Sequence, residues 1–286
     1  MNYSDDIRAK ARELLASGQV QVVIGYEEGR RGQVRPAFIY KADDTDRLIF
    51  DERCAHNLAV YLHAKKAGPQ GAEPPKVAIV AKPCDARAIN VLTLENQVSR
   101  ENLYIIGVAC DGTKDKDTGG TEFKCTQCSE RVPVVYDCLI GTAPTAATEP
   151  TEPFADIVEF EKMSPAERRA FWEKQYARCI RCYACRQACP MCYCEECVVE
   201  KLDPLWVSIA IDTPEKEFYH LMRAFHLTGR CTGCGECERA CPLGIPVMLY
   251  NRKMAKEIQA VFGGFRPGSD AVAAAPFATF KKEEID

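Results

Sequence analysis

Two stretches of the chain repeat one spacing: Cys179-x2-Cys182-x2-Cys185-x3-Cys189-Pro190 and Cys231-x2-Cys234-x2-Cys237-x3-Cys241-Pro242. Three thiols at i, i+3 and i+6, then a fourth at i+10 before proline, form the run that holds [4Fe-4S] clusters. A short loop wraps three corners of a cubane, and the fourth thiolate must come from elsewhere. In two-cluster proteins the fourth cysteine of each run crosses to the other cluster. The spacing therefore predicts one centre on Cys179, Cys182, Cys185 and Cys241. It predicts a second on Cys231, Cys234, Cys237 and Cys189. Zinc is the competing reading, but its motifs pair two short C-x2-C units instead.

A third group of cysteines lies earlier. Cys84 and Cys110 each follow an apolar strand pattern, and Cys125-x2-Cys128 follows on a polar loop. The carboxyl ends of neighbouring strands are where α/β sheets place ligands. These four thiols are expected to form a third metal site, a further [4Fe-4S] cluster. A zinc site and scattered free cysteines compete with that reading. Cys54 and Cys138 are read as packing residues, with Cys54 able to replace one ligand. Cys192, Cys194 and Cys197 stay unassigned. Weaker signals are the turn Lys82-Pro83-Cys84-Asp85-Ala86-Arg87, whose helix start and basic side chains could hold a flavin phosphate or simply cap a helix. His56, His63, His220 and His226 show no ligand spacing; His220 and His226 are expected as packing or surface residues. No nucleophile–base pair, G-x-G-x-x-G or G-x-x-x-x-G-K stands out.

The elements that must position these groups follow from periodicity. Ser4 caps a first helix with Ile7, Ala11, Leu14 and Leu15 on one face and a stop at Gly18. Strands are predicted at 19–24, 36–40 and 47–50. Helix and strand then alternate: helix 57–66, strand 76–81, helix 85–95, strand 102–108. A strand–helix–strand unit of this length favours parallel pairing. Residues 1–142 thus read as an α/β domain with a mixed or parallel sheet. Residues 143–163 read as a linker rich in Pro, Thr, Ala and Glu. Residues 164–264 read as a mainly α-helical domain carrying both cysteine runs. It opens on the capping box Ser164-Pro165-Ala166-Glu167. Further helices are expected from Thr213-Pro214 to near Gly229 and after Pro246. The tail 265–286 is expected to be poorly ordered.

Composition narrows the function. A net charge of −4 among 286 residues offers no cationic field for nucleic acid or an anionic membrane. No apolar run nears the roughly 18 residues that span a bilayer, and the N-terminus lacks a signal-peptide pattern. A cytoplasmic location is the expectation. Seventeen cysteines there imply metal rather than disulfides.

The run 179–194 resembles the ferredoxin part of formate dehydrogenase beta subunits, a family that includes the beta subunit of the methanogen hydrogenase that reduces a deazaflavin coenzyme. Residues 77–111, with Lys82-Pro83-Cys84-Asp85 and Ala109-Cys110-Asp111, are similar to the α/β domain of that family. The wide separation of the two runs, with a helical pattern between them, resembles the helical dicluster ferredoxin domains of heterodisulfide reductase and succinate dehydrogenase iron–sulfur subunits. The resemblance implies a cytoplasmic electron-transfer subunit of anaerobic metabolism, working with catalytic, flavin-bearing or heterodisulfide reductase-like partner subunits and often with FAD. The leading expectation is a relay without bond chemistry of its own. The alternatives are a flavin-bearing subunit that oxidises or reduces a small hydride carrier, and an iron–sulfur sensor or binding module. A sensor would need a DNA-reading element and a basic face, and neither is visible.

Overall fold

The computed structural model describes residues 1–63, 75–142, 152–270 and 276–277. The chain divides into two compact units, one of residues 1–151 with 267–274, the other of 152–266 with 275–286.

The first unit is built on a six-stranded mixed sheet. Helix α1 (Ser4–Ala16) leads into β1 (Val22–Glu28), β2 (Val34–Ile39) and β3 (Leu48–Ile49). Both β2 and β3 pair antiparallel with β1. Then β4 (Val77–Ala81), α2 (Pro83–Leu94) and β5 (Leu103–Val108) make the strand–helix–strand unit. β4 lies parallel to both β1 and β5. A four-residue helix, α3 (Phe123–Thr126), precedes β6 (Cys138–Ile140), which adds parallel to β5. The apolar runs of β4 and β5 are buried along nearly their whole length, as strands covered on both faces must be. Ser4 is helical rather than a cap; its Oγ accepts from the Phe50 amide at 3.0 Å. The predicted helix 57–66 is a short 3-10 turn at Leu58–Tyr61, started by the Asn57 side chain; residues 64–66 lie outside the described residues.

The turn between β4 and α2 departs most from expectation. Lys82 and Asp85 are almost fully buried and paired at 2.8 Å. The Lys82 ammonium also donates to His56 O at 2.7 Å and to the Tyr26 hydroxyl, and lies 4.7 Å from the Tyr26 ring centre. Asp85 accepts from the amides of Lys82 and Leu58. Arg87 is spent on Pro267 O and Glu130. These basic groups are engaged within the fold. The tail also differs. Arg87 and Asn90 on α2 donate to the carbonyls of Pro267, Gly268 and Asp270. Those carbonyls find buried donors, which holds 267–270 against the first unit.

The second unit is helical. α4 (Ala155–Glu161) falls inside the span read as linker. It is held by Arg252 on Asp156 and by Lys253 and Lys256 on Glu161. α5 (Pro165–Arg178) starts at the Ser164/Glu167 capping box as predicted. Then come α6 (Ala184–Gln187), α7 (Thr213–His226), α8 (Glu236–Arg239) and α9 (Met248–Val261). Trp172, Tyr176 and Tyr250 stack between α5 and α9. Among the described residues no helix is long and apolar enough to cross a membrane.

The Lys82–Asp85 pair gives a direct test of the first unit. Asp85→Asn leaves a buried ammonium without its counter-charge, so unfolding free energy should fall by about 3–5 kcal/mol. Denaturant titration of the full chain measures this.

Candidate metal centres

Both runs fold into the same loop. In the first, Arg181 and Tyr183 adopt left-handed backbone (φ 52° and 57°); in the second, the equivalent Gly233 and Gly235 do (φ 72° each). One turn of helix then carries the third cysteine of each run: Cys185 on α6, Cys237 on α8. Left-handed backbone is uncommon outside glycine and costs roughly 1–2 kcal/mol per residue. Alternating right- and left-handed residues gather successive amides into a concavity that binds anions, including iron–sulfur centres. Amides aim at sulfur accordingly. Arg181 N lies 3.4 Å from Cys179 Sγ, and Ile245 N lies 3.4 Å from Cys241 Sγ.

The chain folds so that the runs interlock. Cys179 has Cys185 and Cys241 as charge neighbours. Cys189, the last thiol of the first run, neighbours Cys234 and Cys237 of the second, as Cys231 also does. Cys182 is exposed. Cys192 hydrogen-bonds to Cys189, which pulls the Cys189 thiol down and pushes the Cys192 thiol up. Cys194 is exposed, and the half-buried Cys197 packs against the apolar cluster that includes Val199, Tyr219 and Ile245 as well as Cys179, Cys185 and Cys237. Burial pushes the thiols of Cys179 and Cys234 up, and that of Cys237 to about 12.

Helix α7 lies against these loops with a polar face that is buried. Lys216, Tyr219, His220 and Arg223 fall at i, i+3, i+4 and i+7, and all four are under 8% exposed. The Tyr219 hydroxyl is 3.1 Å from Cys185 Sγ, and His220 Nε2 is 3.4 Å from Cys179 Sγ. Desolvation, reinforced by Arg223, lowers His220 to about 4 and keeps it neutral. Burial opposes the charge on Arg223, yet Cys237, Cys189, Cys192 and Cys185 together hold its pKa above the usual guanidinium value. The expectation of His220 as a packing residue missed its contact with sulfur. The signal was the i, i+3, i+4, i+7 stripe of polar residues where a core face would be apolar.

In the first unit, Cys84 sits in the opening turn of α2 and Cys110 just beyond β5. Cys110 has Cys125 and Cys128 as charge neighbours, and Cys84 has Cys110 and Lys82. The amides of Gly112 and Thr113 approach the sulfurs of Cys110 and Cys125 at 3.4 and 3.3 Å. Burial raises Cys84, Cys110 and Cys128. Cys54 is fully buried and pushed to about 12, with its sulfur accepting from the Asp51 amide. Cys138 is on β6 beside Tyr104.

The donor set fits an anionic sulfur-rich group. Among the described residues of the second unit, three buried donors have no protein partner: Arg186 Nε in the first run, Thr232 Oγ1 in the second, and Arg223 Nε between them. Such groups are costly unless something accepts from them, and bridging sulfide or thiolate would. Among the described residues no three His, Cys, Asp or Glu side chains converge as one metal ion requires. A cubane takes its thiolates at separate corners and asks for no such convergence.

Loop and donor set together suit an iron–sulfur centre. The 4Fe-4S binding domain family matches residues 226–247. The chain is 26% identical to the F420-dependent formate dehydrogenase subunit beta of Methanocaldococcus jannaschii, over 82% of this chain and 83% of that protein. It is 24% identical to the F420-dependent formate dehydrogenase 1 subunit beta of Methanococcus maripaludis, over 68% and 73%. The chain is thus similar to formate dehydrogenase beta subunits, the proteins its motif residues resemble.

Exposure and ionisation predict thiol reactivity. In the native, metal-free protein Cys194 should be alkylated within the first sampling point, while Cys54 should resist until the chain unfolds. Peptide mass mapping over time reads both rates.

Proposed function

We propose that this chain is the iron–sulfur electron-relay subunit of a multi-subunit oxidoreductase, with Cys179, Cys182, Cys185 and Cys241 holding one [4Fe-4S] cluster. Cys231, Cys234, Cys237 and Cys189 hold a second, in a helical dicluster ferredoxin domain. Cys84, Cys110, Cys125 and Cys128 hold a third in the α/β domain. Bound [4Fe-4S] clusters take up and release single electrons. The protein supplies thiolates, inward amides and buried cations, and so decides where negative charge is tolerated.

The interlocking of the two runs carries this reading: Cys241 is a charge neighbour of Cys179, and Cys189 of Cys234 and Cys237. Complexes of the formate dehydrogenase, hydrogenase and heterodisulfide reductase kind supply the donor and acceptor subunits. The loop 202–211 supports such a partner: Leu202, Trp206, Ile209 and Ile211 are each at least 65% exposed. Arg181 of the first run donates to Ser208 O and Ala210 O in the same loop. Exposed apolar side chains grouped beside a cluster-binding loop are what a docking redox partner would cover.

A second reading draws on the relatives' names, which specify F420, the deazaflavin hydride carrier. A hydride brings two electrons and a cluster takes one, so a flavin on this chain would join the two currencies. Extraction of the anaerobically purified protein decides between them. FAD at one per chain favours the flavin-bearing subunit; a fully metallated, flavin-free protein favours the relay alone.

The ligand sets make separate predictions. Anaerobic protein should carry about twelve irons, four for each [4Fe-4S] centre, and show reduced-cluster EPR signals after dithionite. Cys84→Ser should remove about four irons and leave the signals of the other two. Cys241→Ser should perturb the centre on Cys179, Cys182 and Cys185 rather than the neighbouring run. Zinc in place of iron, or colourless oxygen-free protein, would end the proposal.

A further inference from the structure

The face of α7 turned to the cysteines is unlike a structural core. Burial normally selects apolar side chains at i, i+3, i+4 and i+7, and lysine or arginine is almost never fully buried unless paired. Here Lys216, Tyr219, His220 and Arg223 occupy that face. Cys189 and Cys192 lie within hydrogen-bond reach of the Arg223 guanidinium, with Cys185 and Cys237 beside it. Its Nε has no protein acceptor, and one of its terminal nitrogens donates to Cys185 O at 3.1 Å. Lys216 lies beside Cys179.

The contacts divide unequally between the two quartets. Tyr219 and His220 address only first-quartet sulfurs, Cys185 and Cys179. Arg223 neighbours Cys185 of that quartet and Cys237 and Cys189 of the other. The second quartet receives its own side-chain donor from α9, Asn251 Nδ2 at 3.7 Å from Cys237 Sγ. A cysteine bound to metal as thiolate has no proton to give, so the Tyr219 hydroxyl and an N–H at His220 Nε2 would then be the donors. Hydrogen bonds to ligand sulfur and nearby positive charge favour the reduced, more negative state and raise the reduction potential.

We infer that α7 is the potential-setting element of the ferredoxin domain: Tyr219 and His220 raise the potential of the centre on Cys179, Cys182, Cys185 and Cys241 alone, and Arg223 raises both centres together. The inference rests on the two-cluster reading and goes beyond it by assigning each side chain the centre it controls. All three act through the ligand sulfurs, as positioning and electrostatic residues.

EPR-monitored redox titration of the full, anaerobically purified chain tests this, with iron content measured alongside. Tyr219→Phe keeps the ring, which packs edge-on against Tyr183 and His220, and removes only the hydroxyl. One midpoint should fall, by a tenfold change in the one-electron equilibrium or about 59 mV, while the other stays. His220→Phe should lower the same midpoint. Arg223→Met should lower both, and Arg223→Lys should restore most of that loss. If Arg223→Met fails to load iron, the Tyr219→Phe and His220→Phe titrations carry the test. Fully loaded variants with unmoved midpoints would overturn the inference while leaving the two-cluster reading intact. Equal shifts of both centres in Tyr219→Phe would also overturn it. A wild-type chain without two reducible centres would remove the reading beneath it, and the inference with it.

Discussion

Negative charge buried among cysteines must be met by something, and that requirement organises both units. A buried ion without a partner costs several kcal/mol after relaxation. In the helical unit the compensation comes from α7, whose Arg223 has cysteines as its counter-charges. In the α/β unit the buried ammonium is Lys82, which has Asp85 as partner but also lies in the field of Cys84 and Cys110. One device therefore recurs on unrelated secondary structure. A cation is fixed in place by the fold, and its field opposes the burial that raises the neighbouring thiols.

The backbone supplies the rest. The first run pays for its shape with two non-glycine residues in left-handed backbone, Arg181 and Tyr183, where the second run has Gly233 and Gly235. Nothing in helix or strand propensity asks for that conformation at arginine or tyrosine. What sustains it is local. The Arg181 amide reaches Cys179 Sγ, and its guanidinium holds the Tyr183 hydroxyl and the Ser208 carbonyl. The equivalent glycines need no such support. The same loop is thus reached by two chemical routes, evidence that its shape matters more than its residues.

The sequence disclosed this chemistry unevenly, and the reason is range. Cysteine spacing is a local property, because a short loop must wrap a cluster, so both runs were readable as they stand. The parallel pairing of β4 and β5 was readable too, since a strand–helix–strand unit leaves little choice. The capping box at Ser164 depended on neighbours only. What escaped depends on distant partners. His220 looked idle until the fold set it on Cys179, 41 residues away. Lys82 looked available for phosphate until Tyr26 and His56 took its protons. Residues 267–270 looked loose until Arg87 and Asn90, about 180 residues earlier, claimed their carbonyls. Leu58 N, at the start of the 3-10 turn, is bonded to Asp85, 27 residues on, a bond no local pattern encodes.

These long-range contacts share a direction. In each, a charged or polar side chain that could face water is turned inward, and the acceptor it meets is backbone, carboxylate or sulfur. A fold that sought stability alone would have placed apolar residues at Lys216, Tyr219, His220 and Arg223, since replacing buried charge by packed hydrocarbon is often neutral or stabilising. Keeping two cations and two neutral donors on one buried helix face makes sense where the neighbouring sulfurs must change charge without changing place. A fixed field costs no reorganisation when an electron arrives. Water, which would have to reorient, is kept from the inner thiols: Cys185, Cys189, Cys234 and Cys237 are all under 10% exposed, whereas Cys182 faces solvent. In the first run Cys182 faces solvent and Cys179 and Cys185 are buried, while Cys241 of the second run is half-buried.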